Sequence, residues 1–162
     1  GEEWHKEPAS VDIPKEPVLY PFTPHAHKRG GSANVSIRYP NGKTEMLLAL
    51  PRYDFNWQYE YVLAKPLEVP AGSRITTVWT FDNSTRNPGN PDPKKTVTWG
   101  EQSWEEMLAL YFHYRWKDET VANPKEDYEK IMQAGLMMGV MDDSQDGKLQ
   151  IAGLRGNMGE DL

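Results

Sequence analysis

Between residues 21 and 118 the apolar residues come in short runs, each closed by a turn signal, and this punctuation favours short strands. Ala33 to Tyr39 alternates in polarity, Tyr39-Pro40-Asn41-Gly42-Lys43 supplies an Asn-Gly turn, and Thr44 to Leu50 resumes as an apolar strand. Asn-Gly accepts the positive φ that a tight hairpin turn demands, so this stretch predicts a β-hairpin. Further runs at Glu60 to Leu63, Arg74 to Phe81, Thr96 to Trp99 and Met107 to Trp116 are divided by Pro70-Ala71-Gly72 and by the Asn/Pro-rich stretch 83–93. Most of the chain's 18 aromatic residues fall in this region and can fill the space between two sheets. The expected fold is mainly β, a jelly-roll-like antiparallel β-sandwich over 21–118.

The flanks read differently. Residues 1–20 carry Pro8, Pro14 and Pro17 among charges with little periodicity, and are expected as an extended arm or linker. From Pro124 the pattern turns helical, with Tyr128, Ile131, Met132, Leu136 and Val140 at i, i+3, i+4 spacing, so 124–162 is expected as a small C-terminal helical appendage.

Composition removes several classes of function. The net charge is −6 and no Lys/Arg cluster is visible, which argues against nucleic acid, whose binding draws on phosphate neutralisation. No run approaches the roughly 20 apolar residues of a membrane-spanning helix, and no membrane partner is expected. Without cysteine the chain makes no disulfide, thiolate site, zinc ribbon or iron–sulfur cluster, yet both cytoplasm and periplasm stay open. An opening Gly1-Glu2-Glu3, without a basic-then-apolar leader, reads as a processed or trimmed product.

Two of the four histidines form His25-Ala26-His27. On a strand, residues i and i+2 point to one face about 6.5 to 7 Å apart, so two imidazoles there can converge on one metal ion. On spacing alone, an isolated His-x-His is more often a polar surface pair.

The string Phe22-Thr23-Pro24-His25-Ala26-His27-Lys28-Arg29-Gly30 is followed by Glu105-Glu106-Met107-Leu108-Ala109-Leu110-Tyr111-Phe112-His113-Tyr114. Together they resemble the C-terminal domain of the copper type II, ascorbate-dependent monooxygenases, the family of the peptidylglycine and dopamine hydroxylases. Its bacterial members are more similar still, through Pro51 to Gln58, Asp82-Asn83-Ser84, Asn87-Pro88, Asn90 to Pro93 and Trp99-Gly100, all in the expected order. The resemblance implies that His25, His27 and Met107 bind the copper at which oxygen is activated, that Tyr111 lies beside it as a catalytic candidate, and that the protein works outside the cytoplasm. The chemistry is consistent, because a thioether favours Cu(I) while imidazole serves both copper states. Without the family, Met107 reads as a core residue, and Tyr111 reads equally as a core aromatic. Asp54, Asn56 and Asp82 are candidates to orient the ligating imidazoles, or else close turns.

The likeness has limits. The hydroxylases use a second copper held by three histidines, and here only His5 and His113 remain. Hydroxylation therefore needs an electron donor or a second copper domain from outside. Thr23 and Ala109 stand where the peptide hydroxylase has an arginine and an asparagine for its substrate, so the small-molecule substrate is not expected to be a peptide C-terminus. Two alternatives compete: a copper carrier or sensor without turnover, and a non-catalytic interaction module with a relic site.

Finally, Asp142-Asp143-Ser144-Gln145-Asp146-Gly147-Lys148-Leu149 resembles an EF-hand loop. Asp142, Ser144 and Asp146 take ligand positions 1, 3 and 5, with the Lys148 carbonyl at 7, which makes calcium a second candidate cofactor. Gly153 occupies position 12, so the bidentate Glu is missing.

Overall fold

The computed structural model describes residues 3–123. Seven strands carry its regular structure: β1 (His5–Ile13), β2 (Pro17–Ala26), β3 (Gly30–Arg38), β4 (Thr44–Leu50), β5 (Tyr61–Glu68), β6 (Ser73–Phe81) and β7 (Leu108–Trp116). One sheet runs β1-β6-β3-β4 and the other β5-β2-β7, with every neighbouring pair antiparallel. Ile13, Val35, Ile37 and Ile75 from the first sheet pack with Leu19 and Phe22 from the second, so the core lies between two facing sheets. A second cluster, of Ala26, Ala33, Tyr53, Trp79 and Phe81, fills one end of the same space. The mainly β sandwich is thus the fold, while the helical appendage and the acidic loop with Asp142, Ser144, Asp146 and Lys148 lie outside the described residues.

Local sequence accounts for most of this. The β3–β4 hairpin turns at Gly42, whose φ of 85° suits a residue without a Cβ. The Tyr39 N–H donates to the Lys43 carbonyl at 2.8 Å and closes the turn. In β6 the alternation of Ser73, Ile75, Thr77, Trp79 and Phe81 turns one set of side chains inward, as a strand with one buried face requires. β2 breaks that alternation. Its pairing with both neighbours shifts between Leu19 and Phe22, and both of these residues are buried. Pro21 sits in this irregularity, where a residue without an N–H is tolerated inside a sheet.

Two stretches differ in detail from the sequence pattern. Residues 5–13, within the stretch expected as an arm, pair continuously with β6 from His5↔Phe81 to Ile13↔Ser73. Thr96 to Trp99 forms no strand, and Trp99 joins only Glu106 through an isolated bridge. On the outer side of the β1–β6 pair, Arg74 donates to both oxygens of Asp12, at 2.6 and 2.8 Å. Both side chains are largely exposed, so Arg74→Ala should cost less than about 1 kcal/mol. Arg74 holds the Asp12 carboxyl below its usual range. A lowered carboxyl pKa stabilises the fold above the unfolded value near 4, and that contribution is lost as pH falls through the folded value. Unfolding midpoints of the wild type and Arg74→Ala should therefore converge in acid.

Candidate metal centre

β2 ends at Ala26, and the chain turns back into β3 with the Gly30 N–H donating to the His27 carbonyl at 2.9 Å. Ala26 points inward and is fully buried in the end cluster, so His25 and His27 on either side of it share the outer face. Their ring centroids are 5.2 Å apart with the planes nearly perpendicular, at 88°. One nitrogen from each ring can reach a common ion at that separation.

A loop over residues 51–60 fixes both rings. β5 pairs with β2 only as far as Phe22↔Tyr61, and beyond that point the loop takes the place of a strand. The Tyr53 hydroxyl accepts from the Ala26 N–H at 3.2 Å and donates to the Ala26 carbonyl at 2.8 Å, which clamps the residue between the two histidines. Tyr53 is itself held edge-on against Trp79, with centroids 4.9 Å apart. Gly30 lets this happen, because a Cβ there would lie 2.9 Å from both Tyr53 Cδ1 and Ala26 Cβ. Gly30→Ala should accordingly destabilise by about 1–3 kcal/mol, the cost of overpacking a filled site, in denaturant unfolding.

Gln58 sets the state of His25. Its Nε2 donates to the Phe55 carbonyl at 2.9 Å, which turns Oε1 toward His25 Nδ1 at 2.6 Å. The Nδ1 proton is thereby held on an acceptor, and Nε2 keeps its lone pair for a metal. His27 is only 4% exposed and packs edge-on against Phe55 at 6.2 Å. Its Nδ1 is buried without a hydrogen-bond partner. Burial and then the charge of His25 lower the His27 pKa, against opposing contributions from the carbonyl and the carboxylate of Glu105. A neutral imidazole with an unmet nitrogen is the state a metal ion takes up.

The third sequence candidate lies immediately before β7. The register pairs His25 with Ala109 and Ala26 with Leu108, so Met107 stands one step further along, level with His27. Alternation along β7 puts Met107 on the face of Ala109 and Tyr111. Met107 is half-buried and belongs to neither core cluster. Tyr111 is 58% exposed, with its ring centroid 6.5 Å from that of His25, so it lies on the rim of the site and not in the core. Behind Met107, the Glu106 carboxyl accepts from the Met107 N–H at 3.0 Å. Burial raises its pKa to about 7, despite the Met107 N–H, the Arg29 guanidinium and the His27 N–H, which pull the other way.

Asp54 and Asp82 close turns: the Asp54 carboxylate accepts from the Asn56 N–H at 2.9 Å and the Asp82 carboxylate from the Ser84 N–H at 2.9 Å. Asn56 donates its own amide to Asp54. Tyr53 and Gln58, which hold the histidines in place, stand inside the Pro51–Gln58 motif, and a motif so rich in side-chain donors was the available signal for them.

Among the described residues no three His, Cys, Asp or Glu side chains gather as a metal cluster. Two imidazoles with a thioether as third ligand would be a donor set suited to copper. The other two histidines lie apart, His5 at 2.6 Å from Glu7 on β1 and His113 at 4.0 Å from Glu60 on β7, in different sheets. Comparison with curated proteins finds no match. Residues 6–133 match the family described as copper type II ascorbate-dependent monooxygenase, C-terminal domain. With a two-sheet sandwich, a paired His-x-His and a methionine entering on the adjacent strand, the chain belongs to the copper type II, ascorbate-dependent monooxygenase family and carries its C-terminal copper domain.

Proposed function

We propose that His25, His27 and Met107 bind one copper ion and that this domain is the oxygen-activating part of a larger redox protein. The observation that carries the reading is the pair of rings 5.2 Å apart on one face, one of them with a buried, unpartnered nitrogen. Copper, when bound, supplies the change between Cu(I) and Cu(II) on which the family's oxygen chemistry depends.

The chain's own residues do the rest. Gln58 keeps the proton of His25 on Nδ1, Phe55 shields His27 from water, and Tyr111 stands at the rim where a substrate would approach. Thr23 and Ala109, beside His25 and Tyr111 in the β2–β7 register, carry no charge. The substrate is therefore a small molecule that is not held through a carboxylate at these positions. With no second histidine cluster among the described residues, the electron comes from a donor or a second copper domain. An extracytoplasmic setting is part of this proposal, and the family resemblance is its support. Calcium at Asp142, Ser144, Asp146 and Lys148 is a separate proposal resting on sequence, checked by calcium titration.

Cu(I) loading of the wild type and of Met107→Ala, with an ascorbate-driven oxygen-uptake assay beside it, tests the reading. The wild type should hold one equivalent, with copper–sulfur scattering in X-ray absorption that Met107→Ala lacks. Oxygen uptake above that of free copper supports an enzyme, whereas tight binding without uptake supports a carrier. Unchanged scattering in Met107→Ala overturns the ligand set.

A further inference from the structure

Arg29 is 2% exposed, an unusual position for a permanently charged side chain. It follows His27 by two residues and reaches across to the other ligand-bearing segment. Its Nη1 donates to the Trp104 carbonyl at 2.8 Å, three residues before Met107. Its Nε donates to Asn83 Oδ1 at 3.0 Å. Asn83 is braced in turn, accepting from Asn90 at 2.9 Å and donating to the Lys95 carbonyl at 3.1 Å. The Arg29 carbonyl accepts from the Asp82 N–H at 2.8 Å. Glu106, whose carboxyl receives the Met107 N–H, feels the Arg29 charge.

The β2–β7 ladder stops at Ala26↔Leu108, one step short of Met107. Beyond that rung the methionine segment is held against the histidine turn by the His27 N–H on the Glu106 carboxyl and by the Arg29 fork. Taking a guanidinium out of water costs several kcal/mol unless its donors are met, and an apolar residue would fill the space without that cost. A planar fork that bonds two segments in fixed directions is what an apolar side chain, or lysine, cannot supply.

We propose that Arg29 is the positioning residue that sets the Met107 segment against His27, and so governs how well the site holds Cu(I) relative to Cu(II). The inference rests on the copper ligand set proposed above. Arg29 touches neither metal nor substrate; it acts through the Trp104 carbonyl and Glu106. The soft sulfur matters most for Cu(I), whereas two imidazoles serve both states. Misplacing Met107 therefore weakens Cu(I) selectively.

Arg29→Lys and the milder Asn83→Ala test this, with Met107→Ala as reference and circular dichroism to establish folding. Arg29→Lys should lower Cu(I) affinity about 10-fold or more, as loss of an outer partner typically does, and weaken the copper–sulfur scattering, with Cu(II) affinity within about twofold of wild type. Asn83→Ala should move the same readouts by a smaller amount. A folded Arg29→Lys with wild-type Cu(I) affinity and scattering overturns the proposal, and so does an equal fall for both copper states, which would mark a general scaffold. If Arg29→Lys does not fold, an unchanged Asn83→Ala overturns it. A Met107→Ala protein that keeps wild-type Cu(I) affinity and scattering fells the ligand set as well, whereas loss in Met107→Ala alone rejects only the role of Arg29.

Discussion

Replacing His27 with alanine should abolish stoichiometric copper binding while the sandwich stays folded. Of the three proposed ligands, His27 is the one buried deepest, and its ring is the one with an unmet nitrogen. Without it, His25 and Met107 remain as two ligands at an open rim, and water competes for the ion. The fall in Cu(I) affinity should exceed the roughly 10–100-fold that loss of an outer partner costs. Competition with a chromophoric Cu(I) chelator measures it. Stability should fall by about 1–3 kcal/mol, because the ring removed is buried and packs on His25 and Phe55. Wild-type stoichiometry in a folded His27→Ala protein would reject His27 as a ligand.

Tyr53→Phe should be the most damaging single-atom change at the site. It deletes one oxygen that serves both the N–H and the carbonyl of Ala26, where no strand stands ready to replace it. Each buried backbone group left without a partner costs about 1–3 kcal/mol, so a loss of about 2–4 kcal/mol in urea unfolding is expected. The Ala26 amide should also exchange its hydrogen faster than in the wild type. Because Ala26 joins the two histidines, copper affinity should fall in the same variant even under conditions where it is fully folded. A Tyr53→Phe protein as stable as the wild type would mean that the aromatic ring alone, through Trp79, holds the loop.

The fold was legible because its signals are local. Asn41-Gly42 announces a hairpin whatever the rest of the chain does, and the alternation in Arg74 to Phe81 fixes which side chains turn inward. The sharing of one face by His25 and His27 follows from strand geometry in the same way, and the family motif identified Met107 and Tyr111. What holds the site was not legible. Gln58 meets His25 across 33 residues, and Arg29 meets Trp104 across 75. Their side-chain types say nothing about such partners until the sheets are assembled. Asp54 and Asp82 look like partners for histidine by composition, but each has a backbone N–H two residues ahead, and that local bond wins. Thr96 to Trp99 has strand-forming residues but only one bridge, to Glu106, so its propensity leads nowhere.

The irregularity at Tyr20 and Pro21 decides more than the course of one strand. Leu19 and Phe22 are three residues apart yet both buried, so β2 changes phase between them. In an uninterrupted strand that buried Leu19, positions 21, 23, 25 and 27 would all point inward, and both imidazoles would be interred in hydrocarbon. One additional residue inverts the reading frame of the sheet, so that Pro24 and Ala26 go under and the two imidazoles turn to the opposite face. Removing a residue at this point would turn the site inside out without altering any of the three proposed ligands.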